Sequence, residues 1–104
     1  MRTPGNRDMT PRRPVRFEVT GYTNAVGRPA FLHYRRAGRT LETVRLGTLR
    51  GPCGDLKKSL RRAFPFRPVP AGEYKLAVTT SPTSATRAPM TRATVRIARR
   101  DAVR

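Results

Sequence analysis

Four short stretches of this chain alternate apolar and polar residues with a period of two, and that pattern commits most of it to β-structure. Val15, Phe17 and Val19 alternate with Arg16, Glu18 and Thr20, and Ala30, Leu32 and Tyr34 with Phe31, His33 and Arg35. Further on, Tyr74, Leu76 and Val78 alternate with Glu73, Lys75 and Ala77, and Ala93, Val95 and Ile97 with Thr94, Arg96 and Ala98. Successive side chains of a strand point to opposite faces, so each stretch reads as a half-buried strand. Thr40 to Leu46 suits the returning arm of a hairpin that turns at Ala37-Gly38. Gly21 to Pro29, Gly47 to Gly54 and Ser81 to Pro89 carry the turn-forming residues and read as loops.

One segment is ambiguous. Leu56, Leu60 and Phe64 fall at i, i+4 and i+8 with Lys57, Lys58, Arg61 and Arg62 on the other side, and Asp55 stands where a cap would. The local pattern predicts a short helix over 55–64, and a strand stays open because tertiary context overrides weak propensity. Pro65, Pro68 and Pro70 then force an extended run up to Gly72. The result is a mainly β chain, predicted to form a small antiparallel sandwich or small barrel with at most one short helix.

At 104 residues there is room for one domain. Its expected core is Val15, Phe17, Val19, Leu32, Tyr34, Val44, Leu46, Leu56, Leu60, Phe64, Phe66, Val69, Tyr74, Leu76, Val78, Val95 and Ile97. So small a core leaves little room for a deep substrate pocket. The ends lack apolar periodicity, which predicts a basic flexible arm over 1–13, a sandwich over 14–99 and a C-terminal tail over 100–104. No stretch approaches the length of a membrane-spanning helix, and the N-terminus has arginines without the apolar core of a signal peptide, so the localisation stays open.

Charge is the strongest functional signal: 23 Lys and Arg oppose 6 Asp and Glu, a net +17. A GC-rich coding sequence accounts for arginine in place of lysine, but not for the scarcity of carboxylates. The arm carries four Arg and one Asp and the tail two Arg and one Asp, which leaves +13 on 14–99. A surface that repels itself in this way is expected to meet something negative: an acidic protein surface, an anionic polymer or nucleic acid. Three clusters are candidate contacts: Arg35, Arg36 and Arg39; Lys57, Lys58, Arg61 and Arg62; and Arg92, Arg96, Arg99 and Arg100. The arginine fork matches phosphate and carboxylate with two parallel hydrogen bonds, although any one such cluster is ordinarily a solvated face.

The residues that carry catalysis or metal binding are sparse. His33 is the single histidine and lies on a predicted strand, on its outer face, while Cys53, the single cysteine, reads as a small buried residue in a Gly-Pro-x-Gly turn. One His and one Cys do not make a zinc site, and Glu18, Glu42, Asp55 and Glu73 never cluster in sequence. Neither a Gly-x-Gly-x-x-Gly nor a phosphate-loop pattern occurs. No catalytic residue, metal or cofactor is expected. A single cysteine also excludes an intrachain disulfide.

With the strands placed, Tyr34, Gly38-Arg39, Thr43-Val-Arg-Leu-Gly47, Gly51-Pro-Cys-Gly54, Leu56, Pro65-Phe-Arg-Pro68 and Gly72-Glu-Tyr-Lys-Leu76 form a run that covers about half of the chain. It resembles poorly characterised immunoglobulin-like β-sandwich modules of high-GC actinobacteria. The resemblance implies a non-enzymatic surface or assembly module, usually exported, and brings no catalytic residues with it. Two readings follow. One is an interaction or structural module, such as a subunit of a cell-surface or virion assembly. The other is a basic nucleic-acid-binding protein, ribosome-associated or of the oligonucleotide-binding kind, with Tyr22, Phe31 or Phe66 as stacking platforms.

Overall fold

The fold is that of a computed structural model which describes residues 9–88 and 90–104. Among the described residues six strands run β1 (Val15–Val19), β2 (Pro29–Arg36), β3 (Arg39–Thr48), β4 (Leu56–Leu60), β5 (Gly72–Thr79) and β6 (Thr91–Ile97), with two single-turn 3-10 segments at Thr23–Ala25 and Arg99–Asp101. They form two antiparallel sheets: a four-stranded sheet in the order β3-β2-β5-β6 and a two-stranded sheet of β1 and β4. The sheets pack face to face as a small β-sandwich, which is the fold the alternation predicts.

All four alternating stretches become strands with the expected faces inward: Phe17, Val19, Leu32, Tyr34, Tyr74, Leu76, Val78, Val95 and Ile97 are buried. Every residue of the expected core is either buried or packed against that cluster. The hairpin between β2 and β3 closes with Arg36 opposite Arg39, and both turn residues have positive φ, +51° at Ala37 and +78° at Gly38. That geometry is the two-residue turn whose twist suits a hairpin, and Gly38 takes it without cost whereas Ala37 does not.

The helix predicted over 55–64 is corrected to a strand. Leu56 pairs with Val19, Lys58 with Phe17 and Leu60 with Val15, so Leu56 and Leu60 reach the core as alternate members of β4. Offsets of four and eight are even numbers and fit a period of two as well as a helix face. The position that separates the two patterns, two residues on from Leu56, holds an exposed lysine, Lys58. An isolated ten-residue helix is marginal in water, so pairing with β1 decides the matter.

Packing extends past both expected boundaries of the domain. Met9 is buried, and its N–H donates to the Arg96 carbonyl at 2.8 Å; Ala63 N–H donates to Arg13 and Phe64 N–H to Pro11. At the other end Val103 is buried and exchanges two backbone hydrogen bonds with Val69, at 2.7 and 2.9 Å. Residues 9–13 and 100–104 therefore belong to the sandwich; the rest of the expected arm, 1–8, lies outside the described residues. The missed signal was short: single apolar residues, Met9 and Val103, with no neighbouring periodicity.

Gly54 has a specific reason to be glycine. A Cβ there would sit 2.0 Å from the carbonyl oxygen of Tyr22, so the loop before β4 lies against the loop after β1 only because the side chain is absent. Its neighbour Cys53 is exposed, not buried as expected, because the turn presses Gly54 inward and leaves Cys53 at its outer surface.

Candidate anion-binding site

The outer face of the four-stranded sheet gathers the charge. Arg35 on β2 pairs with Lys75 on β5, and β5 in turn sets Glu73 beside Arg96 and Ala77 beside Arg92 on β6. Residues opposite one another in an antiparallel pair share a face, so Arg35, Lys75, Arg92 and Arg96 stand together with Glu73 as their carboxylate neighbour. An open cavity of about 360 Å³ lies here, lined among others by Arg35, Arg36, Glu73, Lys75 and Arg92, with the β2–β3 hairpin on one side and Ala85, Thr86 and Met90 on the other.

Two of these cations are held in place. Arg35 Nη2 donates to the Gly38 carbonyl at 2.8 Å, while its Nε is buried with no hydrogen-bond partner. Arg36 Nη2 donates to the Ala71 carbonyl at 3.1 Å, and its guanidinium lies 5.5 Å from the centre of the Tyr74 ring. Tyr74 in turn belongs to an aromatic cluster with Tyr34, Phe64 and Phe66 whose ring centres lie 5.0 to 5.8 Å apart. Lys75 and Arg92 are exposed. Among the described residues the ion pairs are Arg16 with Glu18 at 3.7 Å and Arg100 with Asp101 at 3.9 Å, both on largely exposed arginines and neither in this cavity.

The cavity wall formed by the loop after β5 is fastened through a buried histidine. His33 does project from the outer side of β2 as expected, yet it is 1% exposed because this loop folds over it. Its Nδ1 lies 2.9 Å from Thr43 Oγ1 and its Nε2 2.9 Å from Thr79 Oγ1. Thr79 Oγ1 donates to the Ser84 carbonyl at 2.8 Å, which leaves it to accept from Nε2–H, while Nδ1 accepts from the Thr43 hydroxyl. A neutral ring satisfies every member of this chain. Burial holds the His33 pKa below its ordinary value; a hydrogen bond to the Ser81 backbone opposes the shift, and the Arg35 charge adds to it. Both ring nitrogens are thus engaged by threonine hydroxyls.

Of the residues singled out in the sequence, the structure joins Arg35, Arg36 and Arg92 in one cavity, with Arg96 next to it and Arg39 at the adjoining hairpin. Arg99 and Arg100 follow β6 in an exposed 3-10 turn. Lys57, Lys58, Arg61 and Arg62 are exposed on and after β4, in the other sheet, with Lys57 and Lys58 on opposite faces of the strand. Lys75 was missed. Its outward parity was readable, but its place between Arg35 and the β6 arginines depends on the strand order and register. Of the expected stacking platforms, Tyr22 and Phe66 are half-buried and packed against the core, Phe66 edge-on to Tyr34 at 5.2 Å, and Phe31 is half-buried. Among the described residues no three His, Cys, Asp or Glu side chains group as metal ligands, and no helix is long and apolar enough to cross a membrane. No protein-family model, curated protein or solved structure matches this chain.

Proposed function

We propose that this protein is a non-enzymatic interaction module of immunoglobulin-like build that binds a polyanionic partner on the outer face of its four-stranded sheet, as a subunit of a larger assembly. The observation that carries the reading is the cavity itself, whose lining includes Arg35, Arg36, Lys75 and Arg92 against a single carboxylate, Glu73, with no ion pair among them. Like charges that line one cavity without ion pairs raise the local potential, and an anion that enters relieves it. The immunoglobulin-like part rests on strand order. With β1 and β4 as strands B and E, the order β3-β2-β5-β6 corresponds to C′-C-F-G, without A and D. Tyr74 also stands near the start of the strand equivalent to F, and its hydroxyl donates to the Pro70 carbonyl at 2.5 Å, as in the tyrosine corner of such sandwiches.

The test is a titration of the intact chain with short duplex DNA, single-stranded RNA and polyglutamate at several salt concentrations. Comparable binding to all three, falling steeply with salt and weakened when Arg92 and Lys75 become glutamate, is expected. Absence of binding at low salt overturns the reading. A preference for one nucleic acid that persists at physiological salt replaces it with sequence- or structure-specific nucleic-acid binding.

A further inference from the structure

Among the described residues β4 is paired along its length on one side only, with β1. On the other side Arg50 and Asp55 exchange two backbone hydrogen bonds, at 2.9 and 3.0 Å, just before β4 begins, and beyond that bridge a groove of about 540 Å³ runs between β4 and β3. Half-buried Leu56 lines it with apolar surface over buried Leu46, and Gly47, whose Cβ would come within 3.0 Å of Leu56 Cδ1, lets the two walls meet at the bottom. The rim is cationic: Arg50, Lys57 and Lys58 all line the groove and are all exposed. Its one carboxylate, Asp55, already accepts a hydrogen bond from the Gly21 N–H at 3.2 Å. Lys58 is placed unusually, on the same side of the sheet as Leu56, Leu60 and Phe17, yet exposed.

A lysine on the inward side of an edge strand ordinarily keeps the edge from pairing with another copy. In a chain of net +17 a second copy is repelled from this rim, but an acidic strand is attracted to it. We infer that the free edge of β4 is a docking site for an extended acidic peptide segment, which adds to the two-stranded sheet as a third strand. The inference does not depend on the cavity on the outer face, which uses other residues on the other sheet. Strand alternation dictates the partner's pattern. A segment of about five or six residues matches the length of β4, with apolar side chains turned toward Leu46 and Leu56 and Asp or Glu side chains turned toward Lys57 and the rim.

The experiment uses the full chain and a capped hexapeptide that alternates valine with glutamate. Two controls accompany it: a peptide of the same composition with the glutamates in one block, and the alternating peptide with proline at its third position. Amide hydrogen exchange and binding are read by NMR. The alternating peptide is expected to bind and to slow exchange across Leu56 to Leu60, with affinity about tenfold lower for either control, since a blocked order misplaces the side chains and proline removes a ladder donor. Lys57→Glu with Lys58→Glu is expected to weaken binding at least tenfold, and Arg104→Glu, an exposed cation that lines neither cavity, to leave it unchanged; if the first pair does not fold, Lys57→Gln with Lys58→Gln carries the same expectation at about threefold. Equal binding of all three peptides, an Arg104→Glu effect as large as that at β4, or stronger protection of β4 by a short duplex DNA than by the peptide would each overturn the inference.

Discussion

The two sheets of this sandwich are built on different terms. The four-stranded sheet is covered on its inner face by β1 and β4 and, around His33, Ala77 and Thr79, on its outer face as well, where the loop after β5 closes over side chains that are at most 3% exposed. The two-stranded sheet contributes Phe17 and Val19 to the core but leaves Leu56 and Leu60 half-buried. Rigidity therefore belongs to the large sheet, and the small one retains an edge and a groove that a partner can use. A fixed surface suits the cationic cavity, whereas an unfinished sheet suits strand addition.

The comparison is broken most forcefully by a charge in the large sheet. Val95 is fully buried and Arg96 exposed, so Val95→Asp should destabilise by about 4 kcal/mol or more through an unpaired buried carboxyl, and Arg96→Asp by less than about 1 kcal/mol. Thermal melts of the two variants decide it, and equal losses would mean that the register of β6 is wrong. Truncation then compares the sheets directly. Leu76→Ala, at a site with no exposure, should cost about 2–5 kcal/mol, and Leu60→Ala, at a half-buried one, about half as much. Equal costs in urea unfolding would mean that the two sheets are equally well packed.

The hydroxyl of Tyr34 crosses from β2 to the segment after β4 and donates to the Ala63 carbonyl at 2.6 Å. Tyr34→Phe should cost about 1–3 kcal/mol, because the buried carbonyl is left without its donor. Burial, helped by Glu42, raises the Tyr34 pKa, so the folded state keeps the neutral phenol while the unfolded chain ionises near pH 10. Stability is thus complete below about pH 10 and lost as the pH rises beyond it, less so in the Phe variant. His33 acts in the opposite direction. Its folded pKa is depressed, so its contribution is present in full above the unfolded value of 6.5 and is lost as the pH falls below it; chemical unfolding between pH 7.5 and 5.5 should show that slope, and His33→Gln should flatten it. Smallest is a gain: Ala37→Gly at φ +51° relieves a left-handed alanine, and should raise stability by about 0.5–1 kcal/mol in the same melts.

Strands whose inward residues alternate without interruption could be read from the chain directly, and so could the core they form. What could not be read were relations between distant segments. Leu56 and Leu60 obey two periods at once, and only pairing with Val19 and Val15 selects the strand. His33 carries no local sign that a loop more than forty residues on will cover it. The same holds for the candidate site. Arg35, Arg36 and Arg92 were recognisable as cations, but their meeting around Lys75 and Glu73 is a property of strand order.

The loop that walls the cationic cavity is fastened by hydroxyls, carbonyls and a neutral imidazole, from Thr43 through His33 and Thr79 to Ser81 and Ser84, with no charged group in the chain. Counterions screen charges and leave such dipolar bonds nearly untouched. Added salt will then empty the cavity without reshaping it, so the ionic-strength dependence of binding counts phosphate or carboxylate contacts and is free of any contribution from an opening wall.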